Sequence, residues 1–157
     1  EGNLAYQIVA VHYLPWQEEP LPENQPLTID VTYDAKTLKV DDTLGVKVKL
    51  EYHRNDVADM TLVDLGIPPG FAVMPEYFQG LKDEGIIEKY SMNGRQVTLY
   101  FREISSEQPI EFSYELKAKF PVKAKTPKST AYQYYEPEIR AEAQPVEIEV
   151  AKVASTD

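Results

Sequence analysis

The stretch 110-IEFSYELKAKF-120 decides the fold, because its side chains alternate strictly over eleven residues. One set is polar or charged, and the other is apolar or aromatic: Ile110, Phe112, Tyr114, Leu116, Ala118 and Phe120. A period of two places successive side chains on opposite faces of a strand. One wet face is typical of an antiparallel sheet that covers a core on one side, and we expect the second set to point inward up to Phe120.

The same alternation recurs elsewhere, with turn residues between the segments. It is clear in 27-LTIDVTYD-34, 46-VKVKLEY-52 and 146-VEIEV-150. Asn93-Gly94 lies between 86–92 and 95–101 and predicts a two-residue hairpin turn with positive φ at both residues. Asp41-Asp42 and 105–109 predict further turns. Short strands at this spacing predict an all-β fold, an antiparallel β-sandwich.

One segment, 74-MPEYFQGLKDEG-85, breaks the alternation. Met74, Phe78 and Leu81 fall at spacings of four and three, which predicts a short α-helix with these side chains facing inward. The proline suits the first turn, and the final glycine suits a left-handed cap. We therefore expect one helix that packs on the sandwich.

Length and composition favour one globular domain with attached ends. Of the 157 residues, 43% are hydrophobic and 27% are charged, which are globular values. We expect residues 25–152 to form the sandwich, 1–24 to be a strand and linker from a preceding domain, and 153–157 to be a frayed tail. The chain begins at Glu1 without a signal-peptide pattern, so we expect a piece of a longer protein.

Charge and residue usage exclude several function classes. The net charge of −10 repels phosphate backbones, so nucleic acid is not an expected partner. Cysteine is absent, which rules out disulfides, thiolate metal sites and a cysteine nucleophile. No apolar run approaches the roughly 18 residues of a membrane span, so direct membrane insertion is not expected.

No residue pattern points to catalysis, so we assign no catalytic residue, cofactor ligand or metal ligand. His12 and His53 lack a metal-spaced partner, and there is no Gly-x-Ser-x-Gly sequence. Solvation in turns, the linker and the helix end explains three carboxylate pairs: Glu18-Glu19, Asp41-Asp42 and Asp83-Glu84. Calcium is a weak alternative for such oxygen-rich turns, although no EF-hand loop is present. A hydrolase is the lowest-ranked hypothesis.

Two local features are candidate contact surfaces. Lysines cluster within an otherwise acidic chain at Lys117, Lys119, Lys123, Lys125 and Lys128. They indicate either a docking patch for an acidic partner or, as we favour, a wet strand face with a lysine-protected edge. The run 132-YQYYEPE-138 places Tyr132 and Tyr134 on one face and Tyr135 on the other, as sugar-binding rings or as core and rim residues.

The order of these motifs resembles the C-terminal receptor-binding domain of the alpha-2-macroglobulin family, which includes the thioester complement components. The pieces that carry the resemblance are 60-MTLVDLGIPPGF-71, the helix, 97-VTLYF-101, 110-IEFSYELKAKFPVKAK-125 and 131-AYQYYEPE-138. It covers 60–157 well and 27–59 acceptably, and 4-LAYQIVAVHYLPW-16 looks like the strand that enters this domain from a CUB-type predecessor. The lack of cysteine looks like a bacterial relative.

The resemblance implies a β-sandwich with one helix, and a non-catalytic terminal module of a large secreted protease trap. Its implied partners are other domains of the parent chain, especially a thioester domain, and target proteases through the parent. The implied location is extracellular or in the cell envelope (periplasmic). In vertebrate members, two helix lysines four residues apart bind an endocytic receptor; the matching positions here are Pro75 and Gln79, which argues against that receptor.

Six lysines are the possible protein-contact residues. Lys82 and Lys89 lie near the helix positions without matching them, and Lys117, Lys119, Lys123 and Lys125 belong to the cluster. A hypothesis from a different class is a sandwich adhesion or carbohydrate-binding module of a secreted protein. That alternative rests on Tyr132, Tyr134, Tyr135 and Trp16.

Overall fold

The computed structural model describes residues 25–152. Their elements are β1 (Leu27–Tyr33), β2 (Thr37–Lys39), β3 (Thr43–Tyr52), β4 (Val57–Gly66), β5 (Phe71–Val73), α1 (Glu76–Asp83), β6 (Lys89–Asn93), β7 (Gln96–Ser105), β8 (Ile110–Ala118), β9 (Val122–Lys125), β10 (Ser129–Gln133), β11 (Arg140–Ala143) and β12 (Glu147–Ala151). The strand and linker predicted for 1–24 and the tail predicted for 153–157 lie outside the described residues, so the domain boundaries stay predictions.

The described strands form three sheets. Their orders are β1-β3-β8-β5, β11-β10-β4-β7-β6 and β2-β12-β9. Neighbours pair antiparallel except β12 with β2, which run parallel. The four- and five-stranded sheets share one core, in which the rings of Phe101 and Phe112 lie 6.4 Å apart. The predicted antiparallel β-sandwich is confirmed.

Inward side chains of the alternating segments build this core. Val46, Val48, Leu50 and Tyr52 of β3 are buried, as the alternation predicts. Each such side chain contributes about 1.5–3 kcal/mol through its removal from water. The lysines between them on β3 remain on the outer face, so one side of the strand packs in the core and the other side faces solvent.

Strand β8 ends two residues earlier than its alternation predicts. Ala118 still bonds through its N–H to the carbonyl of Asp42 at 2.9 Å, but Lys119 donates to the carbonyl of Gly70 at 2.8 Å. Pro121 follows and has no N–H to donate to a sheet. The chain therefore turns away, and the expectation that Phe120 faces inward is wrong: its side chain is 67% exposed.

Strands β6 and β7 form the predicted hairpin with a different turn. Asn93 pairs with Gln96, so the loop residues are Gly94 and Arg95. Neither Asn93 nor Gly94 has positive φ, and the side-chain Oδ1 of Asn93 accepts the N–H of Arg95 at 3.1 Å. The predicted positive φ is therefore wrong, because this side-chain hydrogen bond organises the turn instead.

Helix α1 is the predicted one, bounded by Pro75 before it and a left-handed Gly85 (φ 74°) after it. Phe78 and Leu81 are buried as expected, whereas Met74 is half-buried. The Phe78 ring lies 5.1 Å from Tyr114 on β8 and 5.9 Å from Tyr90 on β6. The helix thus covers the side of the sandwich between the two large sheets. No helix within 25–152 is long and apolar enough to cross a membrane.

Candidate functional site

The outward face of the five-stranded sheet carries a row of large side chains. The strand register brings Lys89, Tyr100, Leu62, Tyr132 and Arg140 to one level on five neighbouring strands. Leu62 is only 7% exposed, yet it lies outside the main core cluster. Cross-strand neighbours on one face pack against each other, so the two flanking tyrosines form a small apolar layer with Leu62 on the outside of the sandwich.

An open groove of about 460 Å³ lies beside this row. It is lined by Met60, Leu62, Glu88, Lys89, Tyr100 and Tyr134. The Lys89 ammonium lies 4.2 Å from the centroid of the Tyr100 ring, in a cation–π contact. Glu88 pairs with Arg102 at 2.6 Å. The groove therefore has an apolar and aromatic floor and a charged rim.

Met60 borders the groove with a strained backbone. Its φ is +44°, in the left-handed region that non-glycine residues rarely adopt. Its carbonyl accepts the N–H of Tyr134 at 2.8 Å. Such a conformation costs of order 1 kcal/mol and persists only when the surroundings enforce it, and the hydrogen bond from Tyr134, directly after β10, is one such constraint.

Two exposed tyrosines follow at the end of β10. Tyr134 and Tyr135 are 60% and 71% exposed, and their rings meet edge to face at 5.2 Å. The loop that carries them is closed by backbone hydrogen bonds from Gln133 to Ile139 and from Ile139 to Glu136, with Ile139 buried beneath. Backbone hydrogen bonds and a buried side chain thus stabilise the loop that carries Tyr134 and Tyr135.

Together these residues form one aromatic surface, made of Met60, Leu62, Tyr100, Tyr132, Tyr134 and Tyr135. Tyr134 lines the groove beside the row that contains Tyr132, which agrees with the face predicted for both. Tyr135, predicted for the opposite face, joins the surface through its ring contact with Tyr134. Burial raises the pKa of the Tyr132 hydroxyl, and the negative charges of Asp64 and Tyr100 add to this. This surface is largely apolar and aromatic, with Leu62 buried at its centre and Tyr134 and Tyr135 mostly exposed at its edge.

The predicted contact lysines are spread over several elements. Lys82 is exposed on α1, and Lys89 lies on the groove rim. Lys117 is on β8 and Lys119 directly follows it, whereas Lys123 and Lys125 are on β9, an edge strand of the three-stranded sheet. Lys123 lies 3.4 Å from Glu147 and 3.8 Å from Glu149. The favoured lysine-protected edge is present at β9, and a role of the six lysines in protein contact stays a prediction.

The two helix positions that matter in vertebrate relatives are both exposed and uncharged here. Pro75 caps α1. The amide of Gln79 donates to Asp83 at 2.7 Å and its oxygen accepts from the Tyr90 hydroxyl at 3.4 Å. The two positions therefore carry no positive charge, and the side chain at the second one is hydrogen-bonded to the carboxylate of Asp83.

The histidines and carboxylates named as candidates lie apart in the part of the chain that the structure describes. His53 is exposed, and its Nε2 lies 3.2 Å from the hydroxyl of Thr28; His12 lies outside the described residues. Within 25–152, no three His, Cys, Asp or Glu side chains converge as metal ligands. Asp42 accepts the backbone N–H of Lys39 at 2.8 Å. Calcium binding stays an untested expectation.

Sequence reasoning missed Met60, Leu62 and Tyr100 as members of the aromatic surface. A signal was present, because Leu62 and Val63 are adjacent apolar residues inside β4. Two neighbouring apolar residues in a strand indicate apolar cover on both faces of the sheet. The adjacent pair Leu62-Val63 is the only departure from alternation in this part of β4, so the signal is weak.

Residues 25–152 thus form an antiparallel β-sandwich with one short helix and an aromatic patch on the outer face of the five-stranded sheet. Residues 56–145 match the model of the A-macroglobulin receptor binding domain family. This match covers more than half of the chain, so the chain belongs to that family. A search of curated proteins gives no match.

Solved structures show the same fold. Native alpha-2-macroglobulin from Escherichia coli matches with a TM-score of 0.72 and 17% identity over 86% of this chain and 10% of that one. A fragment of the Escherichia coli protein from domain MG7 to the C-terminus gives 0.71 and 18%, over 85% and 25% of the two chains. A mutant of Salmonella alpha-2-macroglobulin gives 0.70 and 15%, over 84% and 10%. The chain spans a quarter or less of each of these proteins.

Proposed function

We propose that this chain is a non-catalytic C-terminal module of an alpha-2-macroglobulin-like protease inhibitor from a bacterium. Its role is to dock on another domain of the parent chain, above all a thioester domain. Target proteases are partners only through the parent, which acts outside the cell or in the periplasm. Family membership supports the parent architecture, and the aromatic surface is the observation that carries the docking role.

The aromatic surface has the properties of an interface centre. Tyrosines are enriched among the residues that dominate binding energy, and such residues cluster in apolar patches with a polar rim. Tyr134 and Tyr135 are already held by their loop, so little conformational entropy is lost when they bind. A neighbouring domain with an apolar hollow would cover them and the groove together.

Photo-crosslinking in the full-length parent protein tests this docking. Benzoyl-phenylalanine at Tyr135 is expected to link to a peptide of the thioester domain. The same probe at Met92, an exposed position on the edge strand β6, is the matched control and should give no such link. Recovery of links only within residues 25–152 would refute the docking role, and links to a different domain would correct the partner.

A paired substitution supplies the energetic test. Tyr134→Ser with Tyr135→Ser should leave the folding of the module unchanged, because both side chains are mostly exposed. In the parent it should increase the hydrogen-exchange rate of the docked segment of the partner domain by about tenfold or more, as expected for loss of an interface hot spot. Unchanged exchange in the partner would contradict the proposal.

The same tyrosines support the alternative, a carbohydrate-binding module. Their perpendicular rings (90°) do not offer one flat stacking platform, which favours protein docking. A glycan array with the wild-type chain and Tyr134→Ala separates the two hypotheses. Saturable glycan binding that Tyr134→Ala abolishes would establish the alternative, and no binding by the wild type removes it.

A further inference from the structure

The hairpin turn between β6 and β7 contains the only asparagine-glycine pair of the chain, Asn93-Gly94. In such a pair, the nitrogen of the peptide bond that follows the asparagine can attack the asparagine's own side-chain amide. Glycine has no Cβ to obstruct this approach and leaves the backbone free to turn. Asn93, Gly94 and Arg95 are all exposed, so solvent reaches the whole turn. Sequence and exposure together point to a site of chemical modification.

The side chain of Asn93 is folded back over the turn. Its Oδ1 accepts the N–H of Arg95 at 3.1 Å. A hydrogen bond from the backbone to a side-chain oxygen two residues earlier closes a ring of atoms. That ring includes Cγ of Asn93, which is the electrophile, and the backbone nitrogen of Gly94, which is the nucleophile. The two reacting atoms are therefore members of one small hydrogen-bonded ring.

The attacking nitrogen is not committed to the sheet. Gly94 lies between the two strands, and within residues 25–152 its N–H donates no hydrogen bond. Strand β6 is at the edge of its sheet, so no third strand flanks the turn. A Cβ at Gly94 would find no atom within 4 Å. The backbone of Gly94 can therefore move without giving up a hydrogen bond in the described part of the chain.

We propose that Asn93 deamidates in the folded chain, through a succinimide, to a mixture of aspartate and isoaspartate. Base removes the proton from the nitrogen of Gly94, and this nitrogen forms a bond to Cγ of Asn93. The bond from Cγ to Nδ2 then breaks, and ammonia leaves with a proton from solvent. Water opens the ring: cleavage between Cγ and the nitrogen gives aspartate, and cleavage between the main-chain carbonyl carbon and the nitrogen gives isoaspartate. Water is the only co-reactant.

The backbone of Arg95 assists this reaction. As the nitrogen attacks Cγ, negative charge develops on Oδ1, the atom that accepts the Arg95 N–H. A donor that is already aimed at a developing oxyanion stabilises the transition state. Asn55, in the loop between β3 and β4, is also exposed, but the next residue, Asp56, carries a Cβ. Within residues 25–152, no backbone N–H donates to the Asn55 side chain. The two exposed asparagines thus differ in both features.

The product alters the end of the β6–β7 hairpin. Each event adds one negative charge to a chain whose net charge is −10. Isoaspartate also adds one carbon to the backbone at the residue that pairs with Gln96, which disrupts the pairing at the turn. At the other end of β6, Lys89 contacts the Tyr100 ring and Tyr90 contacts the Phe78 ring. We therefore expect the change to remain at the tip of the hairpin.

Timed incubation of the 157-residue chain in mildly alkaline buffer, followed by peptide mapping, tests this proposal. A synthetic peptide of residues 86–101 is the unfolded reference. We expect the segment with Asn93 to gain about 1 Da, the difference between an amide and an acid. Its rate should lie within about tenfold of the reference rate, and electron-transfer fragmentation should identify isoaspartate as well as aspartate. Slower conversion would show that the fold protects Asn93, which overturns the proposal.

An internal control and a variant test the cause. Asn55 should convert about tenfold or more slowly than Asn93, because the side chain of Asp56 hinders the approach of its nitrogen. Gly94→Ala should slow conversion of Asn93 by about tenfold for the same reason. It should leave the fold intact, since the added Cβ meets nothing within 4 Å and φ at Gly94 is not positive. Equal rates for the two asparagines, or an unchanged rate in Gly94→Ala, would contradict the proposal. Neither result depends on the proposed docking.

Discussion

The two large sheets of the sandwich present different outer faces. On the four-stranded sheet, opposite charges alternate: Lys47 pairs with Glu111 and Lys49 pairs with Glu51, each at 2.9 Å. On the five-stranded sheet, the middle of the outer face holds Leu62 between two tyrosines. Both faces come from strands that also supply the core, so the difference lies in the residues that face away from it.

The difference indicates which face needs a partner. Exposed ion pairs contribute little to stability, but they remain hydrated and leave no apolar area uncovered. An apolar outer layer with a groove leaves such area accessible, and contiguous patches of this kind mark interaction sites. The outer faces, rather than the core, thus carry the difference on which the proposed docking rests.

The largest effect is expected from Leu62→Ala. Leu62 is buried although it faces outward, and truncation leaves a cavity between its tyrosine neighbours. We expect a loss of about 2–3 kcal/mol in the free energy of unfolding, toward the lower end for buried leucines because rings at a surface can move inward. Urea denaturation of the 157-residue chain measures it.

Lys47→Ala, at an outward position of the charged face, is the control and should leave the urea midpoint almost unchanged. If both substitutions had equally small effects, the apolar layer would be ordinary solvent-facing surface. The contrast between the two faces would then be lost.

Much of the fold followed from alternation, for physical reasons. A period of two with one wet face identifies β3 and β8, and proline and glycine positions identify α1. The end of β8 did not follow, because the hydrogen bond from Lys119 to Gly70 depends on a loop 49 positions earlier in the sequence. Only tertiary structure shows that this bond replaces sheet pairing and turns Phe120 outward.

The candidate surface was predicted in part. The tyrosine run was recognised from its composition, but its neighbours Leu62 and Tyr100 come from other strands. The alternation of side chains does not reveal the order of these strands in the sheet. The lysine cluster was interpreted mainly as a solvent-exposed strand face with a lysine-protected edge. The register adds that Lys123 stands opposite Glu149, while Lys119 lies beyond the end of β8. Sequence proximity did not show which charges are neutralised across strands.

A smaller effect is expected from Lys89→Gln on the aromatic surface. The substitution keeps much of the side chain and removes the charge over the Tyr100 ring, so we expect a loss of about 0.5–1 kcal/mol in unfolding free energy. Lys36→Gln, at an exposed position in the loop between β1 and β2, is the control with no expected change. Equal results for both, measured by urea denaturation, would show that the contact with Tyr100 contributes nothing and that the groove rim is loosely held.

The smallest effect concerns the charged face. The hydrogen bond and charge of Lys47 hold the pKa of Glu111 below its ordinary value of 4.5. Lys47→Gln should raise that pKa toward 4.5, which an NMR titration of the Glu111 side-chain carboxyl carbon measures. A pKa that is lower in the folded state than in the unfolded state adds stability above the unfolded value and loses it as the pH falls through the folded value. Both side chains are well exposed, so the acid-range loss should be small. If the pKa of Glu111 does not move in Lys47→Gln, the pair is open in solution, and hydration alone rather than charge pairing accounts for the polar character of this face.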